Sequence, residues 1–281
     1  MQRPAFLAGQ WYPGTERACR DAIVAHAADA MPVQAPYRGL IAPHAGFTYS
    51  GHTAAHAYAW LAQAAGSVDL VVIFGSHRGP HGPNTVFTAA GWDTPLGPLT
   101  TAMPLAAQLQ RDLKLAEEPV QPRHPDNAVE LHLPFVRHFF PQAELLMLGV
   151  AAGTSALTIG QEVGDAVRRA GINAVFAGST DLTHYGPNYD FAPAGKGLAA
   201  VEWVRNQNDR GVIDATLNRN ATQVLAHAEQ HQSACCAGAV AATIQALGAY
   251  GAQAPATLVE HTLSYDIVPN ASFVGYAGIV L

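Results

Sequence analysis

Leu70-Val71-Val72-Ile73-Phe74, running into Gly75-Ser76-His77, is the stretch that decides the fold of this 281-residue chain. Its five apolar residues show no alternation. A strand of that kind is expected where both faces of a sheet are covered. Two more runs outward from it have the same form. Arg38-Gly39-Leu40-Ile41-Ala42 passes into Pro43-His44-Ala45-Gly46. Ala174-Val175-Phe176-Ala177 passes into Gly178-Ser179-Thr180-Asp181-Leu182-Thr183-His184. Residues 145–150 are also strand-like, and 84–90 reads as a further strand. Helical patterns lie between these runs at 15–30, with Thr15 as N-cap, and at 53–65, 104–113, 128–139 and 155–170. Helices dominate from there to about 247, and strand-like runs at 257–261 and 272–280 close the chain. Strands and helices that alternate in this way predict an α/β fold, with a mixed, mostly parallel central sheet and helices on both faces. No linker or shift of composition divides the chain, so 1–281 reads as one domain.

Composition narrows the function. Lys and Arg number 15 and Asp and Glu 21, a formal charge of −6, and 13% of residues are charged. An acidic chain with few lysines lacks the footprint of a nucleic-acid binder. At 49% apolar it can bury enough surface to fold. The longest uncharged stretch, 231–259, is rich in Ala and Gly and broken by glutamines, which predicts a buried helix and a loop, with no membrane span. The first residues carry no apolar signal-peptide core. Cys19, Cys235 and Cys236 form no disulfide framework, which points to a reducing, cytoplasmic setting. The anomaly is thirteen histidines, almost as many as Lys and Arg together.

Three of them, His44, His77 and His184, stand in the turns that end apolar strands. Ligands of open α/β sheets sit beyond the carboxyl ends of strands. One such histidine alone reads as a polar loop residue. Three at comparable places predict a metal or catalytic site, since imidazole is both a common ligand and a base near neutral pH. Asp181 orients an imidazole or caps a turn. Glu130, inside an apolar segment, is either buried with a partner or on an outer face. Cys235 and Cys236, near a helix start, are candidate thiolate ligands or inert core thiols, and spacing does not choose between them. His52 and His56, at i and i+4, have a spacing that binds metal on a helix. Without the Glu of a zincin motif they read better as surface or groove residues. His52, His81, His124, His132 and His261 are candidate cleft neighbours. His26, His56, His138, His227 and His231 need no function. No P-loop or GxSxG occurs, and Gly195-Lys196-Gly197 is too short a glycine cluster for a phosphate loop.

Several segments together resemble the Memo family, called AmmeMemoRadiSam system protein B in microbes. They are Arg3-Pro4-Ala5-Phe6-Leu7-Ala8-Gly9-Gln10-Trp11-Tyr12-Pro13, Pro43-His44-Ala45-Gly46 with Tyr49-Ser50-Gly51, Gly75-Ser76-His77, Trp92-Asp93-Thr94-Pro95-Leu96-Gly97, Glu130-Leu131-His132-Leu133-Pro134-Phe135, and Asp181-Leu182-Thr183-His184-Tyr185-Gly186. They occur in family order along most of the chain. The family in turn is similar to class III extradiol ring-cleavage dioxygenases. The resemblance implies a dioxygenase-like fold and a metal at His44, His77 and Cys235, with Ser233-Ala234-Cys235 selecting Cys235. It implies His184 as acid/base with Asp181 beside it, and His81, Glu130, His132 and Tyr185 near the cleft. The implied metal is Fe(II) first, with copper or zinc as alternatives. The implied ligand is a small phenolic molecule or a peptide. A non-catalytic binding protein and a metal-dependent hydrolase are the alternative functions. The family name further implies AMMECR-like and radical SAM partners. Two departures stand out: Asn127 where the family often has histidine, whose role is then lost or moved to His124, and Cys236 where glycine is usual.

Overall fold

The computed structural model describes residues 1–31, 35–123 and 125–281. Its strands are β1 (Gln2–Arg3), β2 (Gly39–Ala42), β3 (Leu70–Gly75), β4 (Thr85–Val86), β5 (Gly91–Trp92), β6 (Leu99–Thr100), β7 (Ala116–Glu117), β8 (Glu144–Gly149), β9 (Ala174–Ser179), β10 (His184–Tyr185), β11 (Thr257–Leu263) and β12 (Phe273–Val280). Its α-helices are α1 (Glu16–His26), α2 (Phe47–Ala65), α3 (Met103–Asp112), α4 (Asn127–Glu130), α5 (Leu133–Phe139), α6 (Ser155–Arg169), α7 (Leu198–Trp203), α8 (Asp209–Leu217), α9 (Ala221–His231), α10 (Ala237–Tyr250) and α11 (Ser264–Ile267). The main sheet runs β10-β12-β2-β9-β3-β8-β4-β7, with β11 paired antiparallel along 275–280 of β12. The expected mixed α/β sheet is what forms. Its centre, β2-β9-β3-β8, is parallel, while β12 and β4 join it antiparallel. β1, β5 and β6 make a separate small sheet.

The unbroken apolar strands follow from burial on both faces. Val72 and Phe74 of β3, Leu146 and Leu148 of β8 and Phe176 of β9 face a core shared with α6 and α10. Val71 and Ile73, Leu145 and Met147, and Val175 and Ala177 face the opposite core, with α1, α2 and α5. Each strand alternates in direction, as a pleat requires, yet both directions are apolar. On one face α6 presses on α10 through Gly160 and Gly164, where an added Cβ would overlap the carbonyl oxygens of Ala242 and Ala246.

Several boundaries differ from expectation. α2 starts at Phe47, six residues before 53, because the chain turns directly from Ala45-Gly46 and Phe47 donates its N–H to Trp11 O. The run 128–139 is two helices, α4 and α5. Pro134 lies in the first turn of α5, where its missing N–H costs nothing, and His132 stands at the junction. Of 84–90 only β4 pairs. Thr15 caps α1 as expected, accepting from Ala18 N–H. The stretch 231–259 is the end of α9, a turn, α10 and a loop. Among the described residues no helix is long and apolar enough to cross a membrane.

Candidate metal centre

Parallel neighbours bring the strand ends together. β2, β9 and β3 lie side by side, so the turns after Ala42, Ser179 and Gly75 open on one edge. His44 stands two residues past β2 and His77 two past β3. His77 follows Ser76, whose φ of 133° is rare for a residue with a side chain. That backbone strain sits directly before a candidate ligand. His184 does not end β9. The chain continues from Asp181 toward β12, where Leu182 N–H donates to Gly275 O, and His184 pairs with Val274 as part of β10.

Nε2 of His44 is 3.2 Å from Nε2 of His77 and 3.3 Å from Sγ of Cys235. One donor atom each from His44, His77, Cys235 and Cys236 lies within 4.8 Å of the others. The protons can be assigned from the partners. The Ser179 hydroxyl donates to the Ala128 carbonyl, which can only accept. Ser179 Oγ must then accept from both imidazoles that reach it, Nδ1–H of His44 at 2.7 Å and Nε2–H of His132 at 2.9 Å. When neutral, His44 therefore turns the lone pair of Nε2 toward His77 and Cys235; against the pull of burial, Asp181 and Cys235 favour its charged form in the absence of a cation. His132 in turn accepts at Nδ1 from the Tyr58 hydroxyl at 2.9 Å. On the other side Nδ1–H of His77 donates to Asp126 Oδ1 at 2.8 Å, and its backbone N–H donates to Oδ2 at 3.0 Å. Both rings are held at one nitrogen and offer the other. A carboxylate or hydroxyl behind a histidine is the support that metal-binding imidazoles need.

Electrostatics concentrate on the same atoms. Against the opposing pull of burial, the hydrogen bonds of Cys236 and His44, with the His44 charge, draw the Cys235 thiol well below its ordinary range. Cys236 is pushed well above it, by burial first and then by its neighbour. The sulfurs are 3.7 Å apart. Cys235, the more acidic thiol, also accepts from Asp181 N–H at 3.3 Å, and the opposite shifts of the two thiols put the shared proton on Cys236. Burial opposes protonation of His77, yet Asp126 and Cys235 carry it up to about 10. Asp126 falls well below the usual carboxylate range, burial being outweighed by its bonds to His77 and to backbone N–H groups. His132 drops to about 3, through burial and then the charge of His44. His77, by contrast, is cationic at neutral pH, with its Nε2 proton bonded to the Cys235 sulfur. Once a cation displaces that proton, two imidazole nitrogens and a thiolate face one another, a donor set suited to a borderline or soft metal ion.

A cavity of about 640 Å³ opens onto His44, His77, Asp181 and His184. Trp11, Tyr49, Tyr189 and Tyr276 also line it, as does Asn127, whose amide donates to His44 O at 3.0 Å. A shallower depression of about 840 Å³ around Tyr250 and Arg168 lies elsewhere, lined by none of the ligating group.

Other expected residues fall differently. Oδ2 of Asp181 is 4.0 Å from Nε2 of His184, too far for a hydrogen bond, while Oδ1 accepts from the His44 backbone N–H at 2.7 Å. It therefore braces the His44 turn and only faces His184, and the expected turn cap does not form. Burial raises the Asp181 carboxyl despite the opposing charge of His44. Nε2 of His184 is buried without a hydrogen-bond partner. Glu130, His132 and Tyr185 do not line the cleft. Glu130 accepts from Leu7 N–H at 2.6 Å and Tyr12 OH at 3.1 Å. Tyr185 donates to Gly195 O and accepts from Ala194 N–H. The apolar segments around all three turned them inward. His81 is exposed in a turn after Gly79. His261 meets Asp209 at 2.9 Å, away from the cleft lining. His124 lies outside the described residues. Asp126 and Ser179 escaped sequence reasoning. Asp126 could have been found as the N-cap of α4, and Ser179 as the last residue of β9, but neither signal names a histidine partner.

A family model described as "Memo-like protein" matches residues 3–280. A MEMO1 family protein of Methanococcoides burtonii is 30% identical over 287 residues, covering 100% of both chains. One of Methanopyrus kandleri is 30% identical, covering 100% of this chain and 99% of its own. The corresponding protein of Methanothermobacter thermautotrophicus is 30% identical over 85% of this chain and 83% of its own. A crystal structure of an uncharacterised protein from Escherichia coli K12 covers 85% of this chain and 98% of its own at 13% identity, with a TM-score of 0.48.

Proposed function

The chain belongs to the Memo family, and from that premise we propose that its cleft is the metal centre of an oxidoreductase acting on a small phenolic molecule. The observation that carries this reading is the set of three donors, His44 Nε2, His77 Nε2 and Cys235 Sγ, from three segments far apart in sequence. Iron(II) is the metal of choice, with copper or zinc as alternatives. When bound, it supplies Lewis acidity and, as iron or copper, a redox couple for dioxygen chemistry.

The protein's own groups do the rest. Ser179 and Asp126 hold the two rings in the tautomers that ligate. The Cys235 thiolate adds the single negative charge that a carboxylate supplies in a two-histidine, one-carboxylate site. Asp181 N–H steadies that sulfur. Nε2 of His184, unpartnered and next to the cavity, takes a proton from a substrate hydroxyl and later returns it. Tyr189 packs on the His184 ring with centroids 4.8 Å apart and limits its rotation. Trp11 and Tyr49 offer exposed faces on which an aromatic substrate stacks.

Anaerobic reconstitution with Fe(II) tests the reading. Cys235→Ala and His77→Ala should each lose the cleft ion. His184→Ala should keep it and lose oxygen uptake with catechols. Metal loss in His184→Ala would make that residue a ligand, and unchanged metal content in Cys235→Ala and His77→Ala would refute the centre. The exposed Trp11, Tyr49 and Tyr189 support a second reading, capture of a peptide without turnover. That reading prevails if the metal binds, no oxygen is consumed, and His44→Ala/His77→Ala still binds peptide.

A further inference from the structure

A second group of ligating side chains gathers outside the cleft, on the outer surface of α2. His52 and His56 stand one helical turn apart, with ring centroids separated by 4.0 Å. Nε2 of His52 is 3.4 Å, and Nε2 of His56 3.1 Å, from the same oxygen, Oδ1 of Asp29. Asp29 comes from the turn that follows α1. Behind His52, Glu260 of β11 meets Nδ1 with both carboxylate oxygens, at 3.0 and 3.1 Å. One donor atom from each of Asp29, His52 and His56 lies within 4.8 Å of the other two. None of these residues lines the cleft.

We propose that Asp29, His52 and His56 form a second metal site, distinct from the cleft, for a borderline divalent cation such as zinc. Glu260 holds the His52 ring in place. Glu260 can only accept, so it fixes the proton of a neutral His52 on Nδ1. The lone pair of Nε2 then points at the Asp29 carboxylate, so that a positive centre, a proton or a metal ion, is needed between them. Two carboxylates stand beside the two imidazoles, and a divalent ion would balance their charge. A carboxylate hydrogen-bonded to the far nitrogen of a ligating histidine is the usual support of such sites. Two nitrogens and one oxygen suit zinc, nickel or cobalt better than calcium or magnesium, which prefer oxygen alone. Asp29 is largely exposed and His56 mostly covered, so the ion enters from solvent and keeps water in its remaining positions. Bound there, it ties the end of α1 to α2 and, through Glu260, to β11.

Zinc titration against a chromogenic chelator tests this site independently of the cleft. The wild type should bind one equivalent more than His52→Ala/His56→Ala. His44→Ala/His77→Ala/Cys235→Ala should retain one equivalent, and zinc should still raise its melting temperature. Glu260→Gln should weaken the surface equivalent by about tenfold or more. Cobalt at the surface site should lack the thiolate charge-transfer band that Cys235 would give in the cleft. Equal stoichiometry in wild type and His52→Ala/His56→Ala overturns the proposal. That comparison stands even if the cleft variant does not fold, because it uses only the wild type and His52→Ala/His56→Ala, the fold of the latter checked by its far-ultraviolet circular dichroism.

Discussion

The hydroxyl of Ser179 shows how one residue assigns the chemistry of its neighbours. Its single proton goes to Ala128 O, and that choice sets the tautomers of His44 and His132. Asp126 does the same for His77. Asp126→Asn should therefore leave the fold intact and weaken cleft metal binding by about 10–100-fold, read from chelator competition. His132 makes a stability prediction. Its folded pKa is lowered to about 3, while in the unfolded chain it is about 6.5. Above about pH 6.5 both states are neutral there and nothing is lost. As pH falls toward 3, only the unfolded state takes up the proton, so stability falls by about 1.4 kcal/mol per unit from this residue. His132→Gln should remove about one proton from the uptake on unfolding at pH 5, measured from the pH dependence of urea unfolding. At this scale sequence reasoning singled out His44, His77 and Cys235, whose donor atoms the fold brings together, but not their hydrogen-bond partners. A candidate ligand leaves a trace in residue type, whereas Asp126 and Ser179 act only through where they point.

Strands and helices set how those residues meet. The central strands were legible because an apolar run of strand length, covered on both faces, has few other readings. The start of α2 was not. Phe47-Thr48-Tyr49-Ser50-Gly51 has weak helix preference, and the helix forms there because Trp11 O accepts the first N–H and Phe47 packs on Phe135. The contact of α6 with α10 depends on absent side chains. Gly164→Ala would drive a methyl group into Ala246 O, a backbone atom that cannot rotate away. It should destabilise the protein by about 1–3 kcal/mol or more, seen as a lower urea midpoint with an unchanged slope.

Across the whole molecule, the N-terminal segment is tied to the centre from a distance. Arg3 is buried, its guanidinium 3.9 Å from the Trp92 ring centroid and 3.0 Å from Pro119 O. Glu130 holds Leu7 and Tyr12, and Trp11 beyond them reaches both the cleft and the start of α2. Glu130→Ala leaves a buried N–H and a buried hydroxyl unpaired. It should cost about 2–4 kcal/mol in urea unfolding. It should also speed amide exchange at Leu7 and weaken aromatic ligands in the cleft more than it weakens metal binding. A carboxylate within an apolar segment left a buried partner and an outer face both open; the fold chose the partner, in the N-terminal segment.

The sequence by itself determined the layers: apolar strands, amphipathic helices and histidines at strand ends, because periodicity and residue type are local. Its motifs also carried the family. Only the tertiary structure decided which groups share a site. Strand order laid the turns of β2, β9 and β3 side by side, sent His184 onward to β12, and turned Glu130, His132 and Tyr185 away from the cleft. It also set Asp29 against His52 and His56, so that a pair the spacing left as surface residues acquired a common partner. Ligation depends on atoms within a few ångströms, and those distances are fixed by packing between segments far apart in the chain.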